Sequence, residues 1–138
     1  MSKINRERVL LGGLLGGIII VIIDIFVNGV LFGADWQAAL KALGHAPSPS
    51  GLIILVIWAI LAGICATWLY AAARPRFGPG PRTAIITGFA FWIFSYALPT
   101  IGLLSFHVFP PRLPLISCVG GMAEAILATL VGGWIYRE

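Results

Sequence analysis

Residues 9–32 read VLLGGLLGGIIIVIIDIFVNGVLF, 24 residues with a single charged side chain among them. At about 1.5 Å of rise per helical residue, this run can cross a hydrocarbon layer of roughly 30 Å. Gly12, Gly13, Gly16 and Gly17 make two overlapping GxxxG pairs, a spacing that lets helix backbones approach closely in lipid. Asp24 and Asn28 stand four residues apart and share a helix face, on which Gly13 and Gly17 also lie. A carboxylic acid in lipid is costly, so Asp24 should point into protein.

Working outward, three more apolar runs follow, at 52–73, 83–106 and 115–136. The chain of 138 residues is 59% hydrophobic and 10% charged, where a soluble domain carries about a quarter charged residues. The expectation is an all-α membrane protein: one integral domain, 1–138, of four transmembrane helices in an up-down-up-down bundle. The first run is too long for a signal peptide's apolar region and no small-x-small site follows it, so it reads as a retained span. No lipidation motif is visible, since Ser2 stands where myristoylation needs glycine.

The connections are short. Asp35 is placed to cap a helix over 36–43, WQAALKAL, that Gly44 would end. Its apolar residues Trp36, Ala39, Leu40 and Leu43 fall on one side, which suits a helix lying in the membrane interface. RPRFGPGP, at 74–81, reads as a turn. Pro99 inside the third run predicts a kink that frees the carbonyl of Ser95.

Lysine and arginine are divided unevenly. Lys3, Arg6, Arg8, Arg74, Arg76, Arg82 and Arg137 fall on one side, Lys41 and Arg112 on the other. The positive-inside rule then places both termini in the cytoplasm. Arg74, Arg76 and Arg82 are positioned for anionic headgroups of the bilayer. The net charge of +4 and pI of about 9.6 thus belong to the membrane flanks and do not point to nucleic acid.

A faint repeat appears at a shift of 66 residues. Ala59-Ile60-Leu61-Ala62 falls on Ala125-Ile126-Leu127-Ala128, and Trp68 and Tyr70 fall on Trp134 and Tyr136. Two parallel helical hairpins would produce it.

Helical rise also gives depths. From the cytoplasmic end of each span, Asp24 comes out roughly 22 Å deep, Trp58 about 20 Å, Ser95 and Tyr96 about 18–20 Å, and Glu124 about 18 Å. Asn28 lies one turn further out on the Asp24 face. These six residues form a polar layer within an apolar bundle. Two carboxylates in one low-dielectric space cannot both ionise cheaply, while hydroxyl and indole groups can donate to whichever is charged. On the fourth run, Ser117, Gly121, Glu124, Ala128 and Gly132 share a face of small residues, where Gly121, Ala128 and Gly132 favour tight helix packing.

Other chemistry is not indicated. His45 and His107 have no cysteine or carboxylate at ligand spacing, so neither a metal nor a cofactor is expected. Cys65 and Cys118 differ in depth by about 18 Å on the same helical rise, too far for a disulfide. No Ser-His-Asp set shares a location, and no catalytic residue is assigned.

The order GGLLGG, then NGVLFGADWQAALKALG, then three further spans resembles small bacterial four-helix integral membrane proteins of uncharacterised activity. In size and in its first-helix acid the chain is also similar to small multidrug resistance transporters. It departs from them in having aspartate where they have glutamate, and in a second acid in the last helix. Three roles follow. One is a structural or accessory subunit, or a homo-oligomer, packed through the glycine faces. The others are a proton- or cation-coupled transporter or channel using Asp24 and Glu124, and an enzyme acting on lipid.

Overall fold

The computed structural model describes residues 4–46 and 48–136; Lys3 and Arg137, counted above with the basic residues, lie outside them. The fold is all-helical, with no strand among the described residues. Four helical stretches are long and apolar enough to cross a membrane: Arg6–Leu31, Pro49–Phe77, Pro81–Ser105 and Arg112–Ile135. The first comprises α1 (Arg6–Asp24) and a π-helical segment (Ile25–Leu31), after which comes a short α2 (Gly33–Ala42). α3 (Pro49–Phe77) is unbroken. The third stretch has three parts: α4 (Pro81–Trp92), a second π-helical segment (Ile93–Ala97) and α5 (Leu98–Ser105). α6 (Arg112–Ile135) completes the chain.

Local chemistry sets the ends. Asn5 caps α1 by accepting the Arg8 N–H at 3.2 Å, and Ser48 caps α3 with Pro49 in the first turn, both ordinary helix starts. α3 continues to Phe77, beyond the expected boundary, so Arg74 and Arg76 belong to its last turn, where positive charge complements the helix dipole. The expected turn over 74–81 shrinks to three residues, with Gly78 and Gly80 at φ 83° and 126°. Thr83 Oγ1 donates to the Gly78 carbonyl at 2.7 Å and holds that turn closed. α2 starts at Gly33, so Asp35 sits inside its first turn and does not cap it. Its carboxylate instead meets Arg112 at 2.8 Å. At the other end of α2, Gly44 takes φ 77° and the His45 N–H reaches back to Leu40 O at 2.9 Å, a glycine stop as expected.

Pro99 acts through a change of helix type. A proline clashes with the carbonyl four residues earlier and offers no N–H to it. The chain widens into a π turn directly before Pro99, with the Leu98 N–H bonded to Ile93 O, five residues back.

The interior is made of small residues. Between the helices lie Ala59, Ala62, Ala66, Ala125 and Ala128 with Thr67, Thr83, Thr87 and Thr129, and Ile20 is the largest apolar side chain buried completely. Lipid is as apolar as leucine, so close van der Waals packing must bind the helices together. The four glycines of α1 are used in two directions: Gly13 and Gly17 meet Ile64 and Ile60 of α3, while Gly12 and Gly16 meet Gly132 and Ala128 of α6. A Cβ on Gly12, Gly16 or Gly17 would come within 2.7, 3.0 and 2.9 Å of the carbonyl oxygens of Gly132, Ala128 and Ala59, and one on Gly88 within 3.0 Å of that of Ala125. In glycine a Cα hydrogen takes that direction, giving Cα–H···O contacts worth about 0.5 kcal/mol each. Gly63 is tighter still: its missing side chain would overlap the backbone of Gly13 and Gly17.

Residues 59–70 and 125–136, the pair related by 66, have closely matching burial. Ala59 and Ala125, Ala62 and Ala128, and Tyr70 and Tyr136 are buried. Trp68 and Trp134 are both exposed. The two tyrosine rings meet edge to face with centroids 6.2 Å apart. Each hydroxyl accepts a backbone N–H from the residue that opens a helix of the other pair: Tyr70 from Gly80 at 3.1 Å, Tyr136 from Asn5 at 3.3 Å.

Candidate functional site

Packing changes abruptly along the bundle, and the polar residues lie at the change. Among the described residues of 25–58 and 89–120, only Leu113 and Pro114 are buried. Asp24 is the last residue of α1 and is half-buried; Asn28 lies in the first π segment, Ser95 and Tyr96 in the second. Glu124, in the middle of α6, is 1% exposed. π-helical turns recur at functional sites because the wider turn re-aims side chains and loosens the backbone ladder.

Two hydrogen-bonded groups occupy this level. In the first, Asn28 Nδ2 donates to Asp24 Oδ1 at 2.8 Å, and Asn28 Oδ1 accepts both Ser117 Oγ at 2.6 Å and Trp36 Nε1 at 3.1 Å. One amide thereby joins the first span, α2 and α6. In the second, the Tyr96 hydroxyl donates to Glu124 Oε2 at 2.7 Å. Gly121 makes this bond possible: a Cβ there would fall inside the Tyr96 ring, so only glycine leaves the ring its seat one turn from the acid. Among the described residues neither acid pairs with an arginine or lysine.

The other residues expected in the layer contribute differently. Trp58 meets Tyr96 edge to face, with ring centroids 5.6 Å apart, and the residue is 39% exposed. It acts as a wall to the site and donates no hydrogen bond to an acid among the described residues. Ser95, next to Tyr96 in the second π segment, is half-buried and makes no side-chain hydrogen bond among the described residues. Gly121, Ala128 and Gly132 each lie at a close helix contact within the chain. At the far end of the bundle, the Arg74 guanidinium carbon lies over the Tyr136 ring, 5.5 Å from its centroid, while Arg76 and Arg82 are exposed. Cys65 and Cys118 are free thiols, and no metal-ligand cluster occurs among the described residues.

Three participants escape a reading by span. Trp36 reads as an interfacial belt residue, yet its N–H is spent on Asn28. Ser117 reads only as a small packing residue. Trp92 donates to the Cys118 carbonyl at 2.8 Å and ties the start of the second π segment to α6. Trp36 lies eight residues beyond Asn28 across a change of helix type, so no simple spacing announces the pair.

Chemically, the site offers two carboxyl groups, each with a neutral hydrogen-bond donor and neither with an arginine or lysine partner among the described residues. Such a site can hold protons or a small cation. No protein-family model matches the chain, and no curated protein or solved structure matches it.

Proposed function

We propose that this is a proton- or cation-binding membrane protein of the transporter or channel class, with Asp24 and Glu124 as the exchanging groups. The observation that carries the reading is Glu124: a carboxyl group buried in a small-residue core, held by Tyr96 and lacking a basic partner among the described residues. A carboxyl placed so is costly unless its protonation or a bound cation is used. Asn28 continues the polar path outward, and the two π turns supply backbone that can rearrange.

The surrounding architecture is part of the proposal. The four spans run up-down-up-down as two parallel hairpins, with both termini in the cytoplasm of a bacterium and the chain in its inner membrane. The matched burial of 59–70 and 125–136 and the reciprocal tyrosine bonds support the duplication. α2 rests in the outer interface, latched by Trp36 to Asn28 and by Asp35 to Arg112.

The second reading is a structural or accessory subunit, or a homo-oligomer. Its support is the close packing of the small-residue half. The surfaces of Gly12, Gly13, Gly16 and Gly17 are already occupied by α3 and α6, so a partner would have to dock elsewhere, on the lipid-facing side chains.

Proteoliposomes separate the two. Vesicles loaded with a pH-sensitive dye should show proton exchange driven by a gradient of Na+ or of tetraphenylphosphonium. Glu124→Gln, which keeps an acceptor for Tyr96, and Asp24→Asn should each abolish the exchange while the protein still purifies folded. Flux from both variants equal to that of the unaltered chain would sink the transport reading. A stoichiometric partner in a native pull-down would establish the other.

A further inference from the structure

The amide of Asn28 has a direction, and Trp36 fixes it. An indole offers one N–H donor and no acceptor, so the atom that meets Trp36 Nε1 at 3.1 Å has to be the carbonyl oxygen, Oδ1. Nδ2 is thereby left to donate to Asp24 Oδ1 at 2.8 Å. Ser117 also donates to Asn28 Oδ1, at 2.6 Å. A hydroxyl accepts as readily as it donates, so Ser117 tolerates the amide either way round. Trp36 does not. The same indole ties α2 to the spans. α2 buries no residue, and its ion pair from Asp35 to Arg112 is exposed on both sides, where such pairs contribute little. The Trp36 ring meets Phe109 edge to face, with centroids 5.4 Å apart. At its start α2 joins the first π segment through a bend at Phe32.

We propose that a small cation that takes oxygen ligands, such as Na+, inverts the Asn28 amide when it binds Asp24 and thereby unlatches α2. The proposal deepens the transport reading and rests on its assignment of Asp24 as a cation-binding group. With Nδ2 turned to the carboxylate, a cation bound there faces the positive end of the amide dipole. Half a turn of the amide presents Oδ1 instead, and a hard cation requires such oxygens. The same rotation sets Nδ2 against the Trp36 N–H. Two donors then face each other, and the indole has no acceptor with which to adapt. The Trp36 bond breaks, Ser117 reverses to accept, and α2 is left with its exposed ion pair and the Phe109 contact. A proton on Asp24 does not force the rotation, because it can sit on Oδ2 while Oδ1 still accepts from Nδ2. A lipophilic cation such as tetraphenylphosphonium carries charge but has no open coordination position, so it gains little from Oδ1 and does not shift the amide. The latch therefore tells a coordinated cation from a proton.

The test reads the indole N–H signals of the isotopically labelled full chain in lipid nanodiscs by NMR, with Trp36→Phe to assign Trp36. Trp92, whose N–H goes to the backbone carbonyl of Cys118, is the internal control. Replacing choline chloride by NaCl at constant ionic strength should make the Trp36 N–H exchange with water about tenfold faster and leave Trp92 unchanged. Tetraphenylphosphonium should change neither. Asp24→Asn should abolish the response to Na+ with the Trp36 bond intact. Without Na+, the backbone amides of α2 should exchange about tenfold faster in Trp36→Phe than in the unaltered chain. An unresponsive Trp36 at a Na+ concentration that drives proton exchange in vesicles would overturn the latch and leave the transport reading standing. Equal responses to Na+ and tetraphenylphosphonium would also overturn it, because charge alone would then suffice. So would unchanged exchange of α2 in Trp36→Phe. A Trp36 response without proton exchange would keep the latch and remove the transport reading. Should Asp24→Asn fail to fold, the comparison of the two cations in the unaltered chain decides.

Discussion

The two ends of the first span are built on opposite plans. From Val9 to Ile20 the helix packs through glycine against α3 and α6, with side chains so small that backbones nearly touch. From Asp24 onward the same span becomes π-helical, no residue of Ile25–Leu31 is buried, and it meets α6 through Val27 beside Gly120 and a hydrogen bond from Ser117 to Asn28. One half is held by shape, the other by a few polar groups. The difference teaches where this molecule can move. Close-packed backbones have one arrangement, because any displacement costs many small contacts at once. Polar links in a membrane average well under 1 kcal/mol each and can exchange partners.

The sharpest way to break the comparison is Gly63→Ala. One methyl group there overlaps the Gly13 and Gly17 backbone, and neither helix can yield without separating. A loss of about 3 kcal/mol or more is expected, at the upper end for overpacking, read by denaturant titration in detergent. Next is Gly121→Ala, which evicts the Tyr96 ring from its seat. A cost of about 2 kcal/mol is expected, with the Tyr96–Glu124 bond lost, and infrared difference spectra of the carboxyl stretch would register it. Tyr96→Phe removes only the hydroxyl, so about 1 kcal/mol is expected, with the wall formed by Trp58 intact. Asp35→Asn should change stability by less than about 0.5 kcal/mol, because its pair with Arg112 is exposed to water. If instead Gly63→Ala is tolerated and Asp35→Asn unfolds the chain, the assignment of rigidity to the glycine half is wrong.

Legibility followed the same division. The spans could be read closely from hydropathy, because length and apolar composition alone decide whether a helix crosses a membrane. Pro99 marked a real irregularity, although the outcome is a π turn just before it. The first π segment had no such marker: Ile25–Leu31 contains no proline, and Asp24 with Asn28 reads equally well on an α-helix. The candidate layer was legible in its acids, since Asp24 and Glu124 are conspicuous in apolar runs. Their donors were less so. Tyr96 can be placed by depth, but the sequence does not say that Trp58 meets its ring edge to face, nor that Trp36, on the apolar face of α2, bonds to Asn28.

By itself the sequence determined that four apolar helices would form, about where each would lie, and which two carboxyl groups would fall within them. Those are properties of composition and local chemistry, and they need no knowledge of neighbours. Only the tertiary structure decided that the glycines of α1 serve α3 and α6 within one chain, that Gly121 makes room for Tyr96, and that one asparagine joins three elements. Each depends on which faces of separate helices meet, and in lipid that choice rests on fit between surfaces, which no single helix contains.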